Sequence, residues 1–412
     1  MSLEGRPPSL TTAYAGIHPQ RSLIGDSTIE QSFSAKRNSL NFLRLILALA
    51  VLFSHSITLG LFGSESILGK TTLGTVAVFG FFGISGFLVA GSAARNNVGR
   101  YLWQRFLRIF PAFWICLLVT AFVFGTIVWF HNNPGLSRAC GLSCYLNEAN
   151  GPFGYFTNNF SLQVNQGNIA KTLPGGVFGY GWNASLWTLE FEFLCYVLLA
   201  VFSVLGLLRR RSLVALIAAI AWIAEVVIVS TPSLTVDFAS PLFDKWDTIR
   251  IGGLIFDTMQ LFVLVPIFLS GSVLYLYREK IPDSGTIALG ATVLLLAGLV
   301  IPVGYGAPDY YQTSLDLTAA VLVYPLIWLG IHLPLARVCA VNDYSYGIYI
   351  YAFPVQQILV VWGVNKWGYW SYTSATVVMV IPLAVASWWL IEKHALRLKT
   401  LKMPGPFRST SS

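Results

Sequence analysis

Residues 42–61 read FLRLILALAVLFSHSITLGL, with Arg44 near the start and His55 well inside. An α-helix rises about 1.5 Å per residue, so roughly 20 apolar residues cross ~30 Å of hydrocarbon. A transmembrane barrel strand would be about half as long and would alternate in polarity. Outward from this stretch the same pattern recurs at 72–92, 109–130, 185–206, 212–231, 253–276, 286–304, 315–332, 344–364 and 372–391. The stretch 212–231 carries Glu225, and 315–332 opens with Asp316. The chain has 412 residues, of which 55% are hydrophobic and only 11% charged. Soluble domains run near 25% charged. So few charges cannot cover a surface facing water, and in lipid only helices or closed barrels satisfy the backbone. The sequence therefore predicts an all-α polytopic membrane protein with about ten transmembrane helices. We find no internal repeat, which disfavours a repeat-built transporter.

Lys and Arg give the orientation. With both termini and alternate loops counted as one side, that side holds 20 of the 26 basic residues, Lys36, Arg37, Arg95, Arg100 and Arg209–Arg211 among them. The other side holds Lys70, Arg138, Lys171, Lys245, Arg250 and Lys366. By the positive-inside rule both termini are expected in the cytoplasm of a multi-pass plasma (inner) membrane protein. The net charge of +8 then reflects topology and contact with anionic membrane lipid, and no nucleic-acid partner is expected. Residues 1–40 read as a flexible cytoplasmic arm with no cleavable signal, 41–395 as the membrane domain, and 396–412 as a cytoplasmic tail.

The longest polar connection, about 131–184, falls on the outer side. It carries Cys140 and Cys144, four residues apart, for which a small disulfide is favoured over a metal pair. Two ligands are too few for a metal, and only His131 stands near, so no metal is expected. Gly and aromatic residues run through the loop, from Gly151 and Tyr155 to Tyr180 and Trp182. They suit a sugar or lipid headgroup, and equally an interfacial aromatic belt.

Chemistry is expected where polar residues enter the membrane, because burying them there is costly. Of the five histidines only His55 lies deep in a span. Arg44 precedes it by eleven residues, which at 100° per residue brings both to one helix face, about 16 Å apart. That arrangement suits a long ligand with a phosphate end outside and a reactive end inside. A packed histidine bonded to Ser54 or Ser56, with Arg44 as a snorkelling anchor, explains the same residues. Arg105 and Arg108 share a face at the cytoplasmic end of the third span, where arginine serves phosphates and topology alike. In the fourth span Glu190 and Glu192 point to nearly opposite faces, whereas Glu192 and Tyr196 share one. Ser85 lies among Gly80, Gly83 and Gly86, a pattern that first of all permits close helix packing.

Taken together, five motifs resemble the acyltransferase-3 family of integral membrane O-acyltransferases. They are Arg44 and His55 with ten residues between them, Phe81-Phe82-x-x-Ser85-Gly86-Phe87-Leu88, Arg105-x-x-Arg108-Ile109-x-Pro111, Ser185-Leu186-Trp187-Thr188-Leu189-x-x-Glu192-x-x-x-Tyr196, and Ser345-Tyr346-Gly347-Ile348-Tyr349-Ile350-Tyr351. The resemblance covers about 40–395. It departs at Ala352, where many members have a histidine.

The resemblance implies transfer of an acyl group, acetyl in the first instance, from cytoplasmic acyl-CoA to a hydroxyl of an envelope glycolipid or polysaccharide. It implies that Arg44, Arg105, Arg108 and Ser85 serve the donor. His55 would be base or acyl carrier, Glu192 would orient it or meet the acceptor, and Tyr346 or Tyr349 would stabilise the oxyanion. The competing expectation is a transporter or flippase of an envelope precursor, with Glu225 and Asp257 as its remaining candidate charges.

Overall fold

The computed structural model describes residues 27–67, 71–173, 181–230, 248–251, 254–300, 319–338 and 342–400. Residues 1–26 of the expected arm, most of the expected tail, the loop stretch 174–180, Asp316 and Cys339 lie outside the described residues. The main helices, in order, are α1 Leu40–Leu59, α2 Leu73–Arg95, α3 Val98–Asn132, α4 Trp187–Val204 and α5 Arg211–Ser230. They continue with α6 Thr258–Leu276, α7 Gly285–Val300, α8 Val323–His332, α9 Ser345–Val361 and α10 Tyr369–Arg397. Each apolar stretch read from the sequence overlaps one of them, with 231, 253, 301–304 and 315–318 outside the described residues. Five helices among the described residues are long and apolar enough to cross a membrane: α1, α2, α3, α4 with its leading turn, and α10. Two starts differ clearly from expectation: α3 begins at Val98, well before 109, and α6 begins late. The chain from 253 begins as an antiparallel hairpin, Thr248–Ile251 with Leu254–Asp257, and α6 starts only at Thr258. Leu254, Ile255 and Phe256 are branched or aromatic residues suited to strand as well as to helix, so hydropathy alone could not locate that boundary.

Helix α2 is the centre of the bundle. It starts cleanly because Thr72 caps it, the Thr72 hydroxyl accepting from the Thr75 amide at 2.9 Å. Its glycines then let neighbours reach the backbone. A side chain at Gly83 would strike Val323 of α8, and one at Gly86 would strike the Phe268 carbonyl of α6. Gly271 of α6 returns the fit against the Gly83 carbonyl. The small residues noted in the sequence therefore serve backbone-to-backbone packing of α2 on α6.

Two π-turns interrupt the helices, and both aim groups inward. Thr120–Phe124 in α3 presents the Ala121 carbonyl, which accepts from the Tyr145 hydroxyl of the long connection between α3 and α4. Trp388–Glu392 in α10 carries Glu392 into the interior, where it is only 2% exposed. The connection between α3 and α4 holds three short helices, Pro134–Cys140, Leu142–Leu146 and Pro152–Asn159, and Cys140 and Cys144 form a disulfide. Asn159 and Gln166 exchange two hydrogen bonds of 2.9 Å, and Trp182 donates to Thr172 at 2.9 Å. The loop is thus a folded cap.

Gly86→Ala tests the α2–α6 contact. Alanine raises helix propensity by up to about 1 kcal/mol, yet its methyl group would overlap a main-chain carbonyl, and overpacking costs about 1–3 kcal/mol. A lower melting temperature in detergent is expected, and an unchanged or higher one would contradict the close approach.

Candidate active site

The expected site residues gather in two places, both reached from α1. The inner place is built around a residue the sequence reading passed over. Asp343, just ahead of α9, accepts from Arg44 of α1 at 2.7 Å and from Arg108 of α3 at 2.5 Å. Its other oxygen accepts from the Ser345 hydroxyl at 2.5 Å and from the Ser345 amide at 3.2 Å. Arg108 also faces Glu392 of α10 at 3.4 Å. Burial works against the Asp343 charge, but Arg44 and Arg108, aided by Ser345, outweigh it and hold the carboxyl well below the usual carboxylate range.

Arg44 and Arg108 are therefore paired internally. Arg105 differs. It lies over the Tyr196 ring at 5.7 Å, and its buried Nε has no hydrogen bond among the described residues. Lys399, beyond the end of α10, stands beside it. Burial, then Arg108 and Arg105, lower the Lys399 ammonium to about 8. Crowded cations of this kind favour an anionic ligand, which would relieve their repulsion.

Above this cluster lies a cavity of about 40 Å³, lined by Arg44, Phe81, Phe82, Thr188, Glu192, Ser345, Tyr346 and Tyr349 among others. Glu192 accepts from Ser85 at 2.9 Å and from Tyr196, so Ser85 supports a carboxylate in addition to its place among packing glycines. Both tyrosine hydroxyls spend their hydrogens on main-chain carbonyls, Tyr346 on Ile109 at 2.8 Å and Tyr349 on Ser185 at 2.7 Å.

His55 is at the second place, toward the cap, and is not among the residues lining that cavity. Its side chain is 29% exposed. Its Nδ1 lies 3.7 Å from Glu65, which follows α1 in the connection to α2. The Phe353 ring of α9 meets the imidazole edge-on at 5.4 Å. One turn further along α9, Gln356 donates to the Leu52 carbonyl at 2.9 Å and the Ser56 hydroxyl at 2.8 Å. Gln357 donates to the Gly181 carbonyl of the cap at 2.9 Å. The Oε1 atoms of Gln356 and Gln357 are buried without a hydrogen bond among the described residues. A cavity of about 350 Å³ in the cap is lined by Asn150, Asn158, Asn165, Gln166, Asn168 and Lys171 among others. No group of three or more His, Cys, Asp or Glu suited to a metal occurs among the described residues.

A polar site of this kind, a histidine at one level of a span and a cation cluster at the other, invites comparison with known proteins. The acyltransferase-3 family model, described as an acyltransferase domain, matches residues 37–389. The chain belongs to the acyltransferase-3 family. Among curated relatives, an O-acetyl transferase of Shigella phage Sf6 is 28% identical over 375 residues, covering 89% of this chain and 98% of that protein. Nodulation protein 10 of Rhizobium leguminosarum bv. viciae is 27% identical over 383 residues, covering 89% of this chain and 95% of its own. No solved structure matches the chain. This acyltransferase-3 protein is a membrane O-acyltransferase, which decides between the enzyme and the transporter. Among the site residues the sequence did not reveal are Asp343, Glu392, Lys399 and Glu65.

The Asp343 cluster makes a stability prediction. Removing one partner of a buried ion pair costs about 3–5 kcal/mol, because the other charge is left unpaired. Asp343→Asn should therefore lower the melting temperature in detergent markedly. Arg44→Met in the same chain should recover part of the loss. An unshifted Asp343→Asn melt would show that the cluster carries no such energy.

Proposed function

We propose that this enzyme moves an acyl group, acetyl in the first instance, from cytoplasmic acyl-CoA to a hydroxyl of an envelope glycolipid or polysaccharide. In this reading α1 to α10 all cross the plasma (inner) membrane, 41–395 is the membrane domain, and both termini face the cytoplasm. The observation that carries the reading is α1 itself. One helix holds Arg44 in the cation cluster and His55 under the outer cap, eleven residues and about 16 Å away.

The parts then take roles. Arg105 and Lys399 receive the phosphates of the donor, since Arg44 and Arg108 already bind Asp343. Arg44 and Arg108 supply the positive wall behind them. The donor arm passes the cavity beside Ser85, Glu192, Tyr346 and Tyr349. At about 40 Å³ that cavity holds only a few waters, so Phe81 and Phe82 must part to admit the arm. The acceptor approaches beneath the cap, where the carboxamides of Asn158, Asn165 and Gln166 suit hydroxyl groups as both donors and acceptors. His55 takes the acceptor hydroxyl proton as the oxygen attacks the thioester carbonyl. The tetrahedral intermediate collapses, the carbon–sulfur bond breaks, and the imidazolium returns the proton to the departing thiolate.

The direct test uses membranes carrying the wild type or His55→Ala, with acetyl-CoA labelled in the acetyl group. Label should enter a glycolipid or polysaccharide fraction only with the wild type. Retained transfer by His55→Ala would remove His55 from the mechanism.

Lys399 adds a pH test. Its charge is present below about 8 and lost as pH rises through that value. A charge-assisted hydrogen bond is worth about 1.5 kcal/mol, or roughly tenfold. The KM for acetyl-CoA should rise several-fold between about pH 7 and pH 9, and Lys399→Arg should flatten the rise. A flat wild-type profile would exclude Lys399 from donor binding.

A further inference from the structure

If His55 is the base, as proposed above, something must aim its ring, because a neutral imidazole has one N–H and one lone pair. We propose that Glu65 is the positioning residue for His55, held in place by Ser54. Glu192, the carboxylate expected from sequence, is occupied by Ser85 and Tyr196. Glu65 is instead the carboxylate within ion-pair reach of His55 among the described residues, Oε2 to Nδ1 3.7 Å.

Three contacts fix it there. The Ser54 hydroxyl donates to Glu65 Oε2 at 2.6 Å. The same hydroxyl accepts from the Gly74 amide, in the first turn of α2, at 2.9 Å. A side chain at position 74 would stand 3.2 Å from that hydroxyl, so glycine allows the approach. Ser54 thereby clips the end of α2 to the residue beside His55. Directly after Glu65 the chain enters a short antiparallel pair, Ser66–Ile67 with Thr71–Thr72, whose last residue caps α2. The carboxylate is therefore carried on a tethered connection.

On the other side the His55 ring meets Phe353. With Nδ1–H turned toward Glu65, Nε2 keeps its lone pair for the acceptor proton. The nearby negative charge then stabilises the imidazolium that forms. A separation of 3.7 Å exceeds a hydrogen bond, and catalytic contacts of this kind commonly tighten only when substrate binds.

The experiment compares Glu65→Gln, Glu65→Asp and His55→Ala in the full chain, reading the rate of labelled acetyl transfer against acetyl-CoA concentration. Glu65→Gln should lower kcat about 100-fold or more with the KM for acetyl-CoA unchanged, because the phosphates bind at the far end of α1. Glu65→Asp should restore part of the rate. ¹⁵N-histidine NMR of the protein in nanodiscs should find His55 as the Nδ1–H tautomer in the wild type and a mixture in Glu65→Gln. Wild-type turnover by Glu65→Gln, a wild-type Nε2–H tautomer, or equal loss in both Glu65 variants without a tautomer change would overturn the assignment. Activity in His55→Ala would instead refute the base reading itself. Inactivity there with full activity in Glu65→Gln would refute only the role of Glu65.

Discussion

Asp343 joins three helices at one point. It takes Arg44 from α1, Arg108 from α3 and the opening turn of α9, and Arg108 carries the connection on to Glu392 of α10. In a low-dielectric interior none of these charges is tolerable alone, so the helices that bear them must assemble together. The remaining packing fits around this junction. The glycines of α2 admit α6 and α8 at backbone distance, and the π-turn of α10 points Glu392 at the cluster.

Because Asp343 pairs with two arginines, the cluster divides its labour. Arg44 and Arg108 fix geometry, whereas Arg105 and Lys399 retain the unsatisfied positive character that an anionic donor could use. The same division holds at the His55 end of α1. Glu192 is engaged by Ser85 and Tyr196, so the carboxylate nearest His55 comes from the connection after α1. The two ends share α1 and α9, and any shift of either helix moves both.

The bundle was legible because the length and hydropathy of each apolar run translate directly into a helix. The Cys140–Cys144 disulfide, favoured over a metal pair from the spacing, forms in the structure. The placing of Arg44 and His55 on one helix and the Glu192–Tyr196 pairing were legible because both depend on helix geometry alone. The hairpin before α6 was not, since its residues suit strand and helix alike. Asp343 was not legible because its partners lie 299 and 235 residues away, and nothing local marks it. Glu392 sits 284 residues from Arg108 and turns inward only through a π-turn. Glu65 is close to His55 in sequence, but helical periodicity ends before it, so no spacing rule reaches it.

The central claim is that donor and acceptor use opposite ends of α1. Sealed membrane vesicles of known orientation test it most directly, with labelled acetyl-CoA, which does not cross the bilayer, supplied outside. Inverted vesicles, exposing the Arg105–Lys399 end, should label their envelope lipid or polysaccharide, and right-side-out vesicles should stay unlabelled until permeabilised. Labelling of intact right-side-out vesicles would contradict the account.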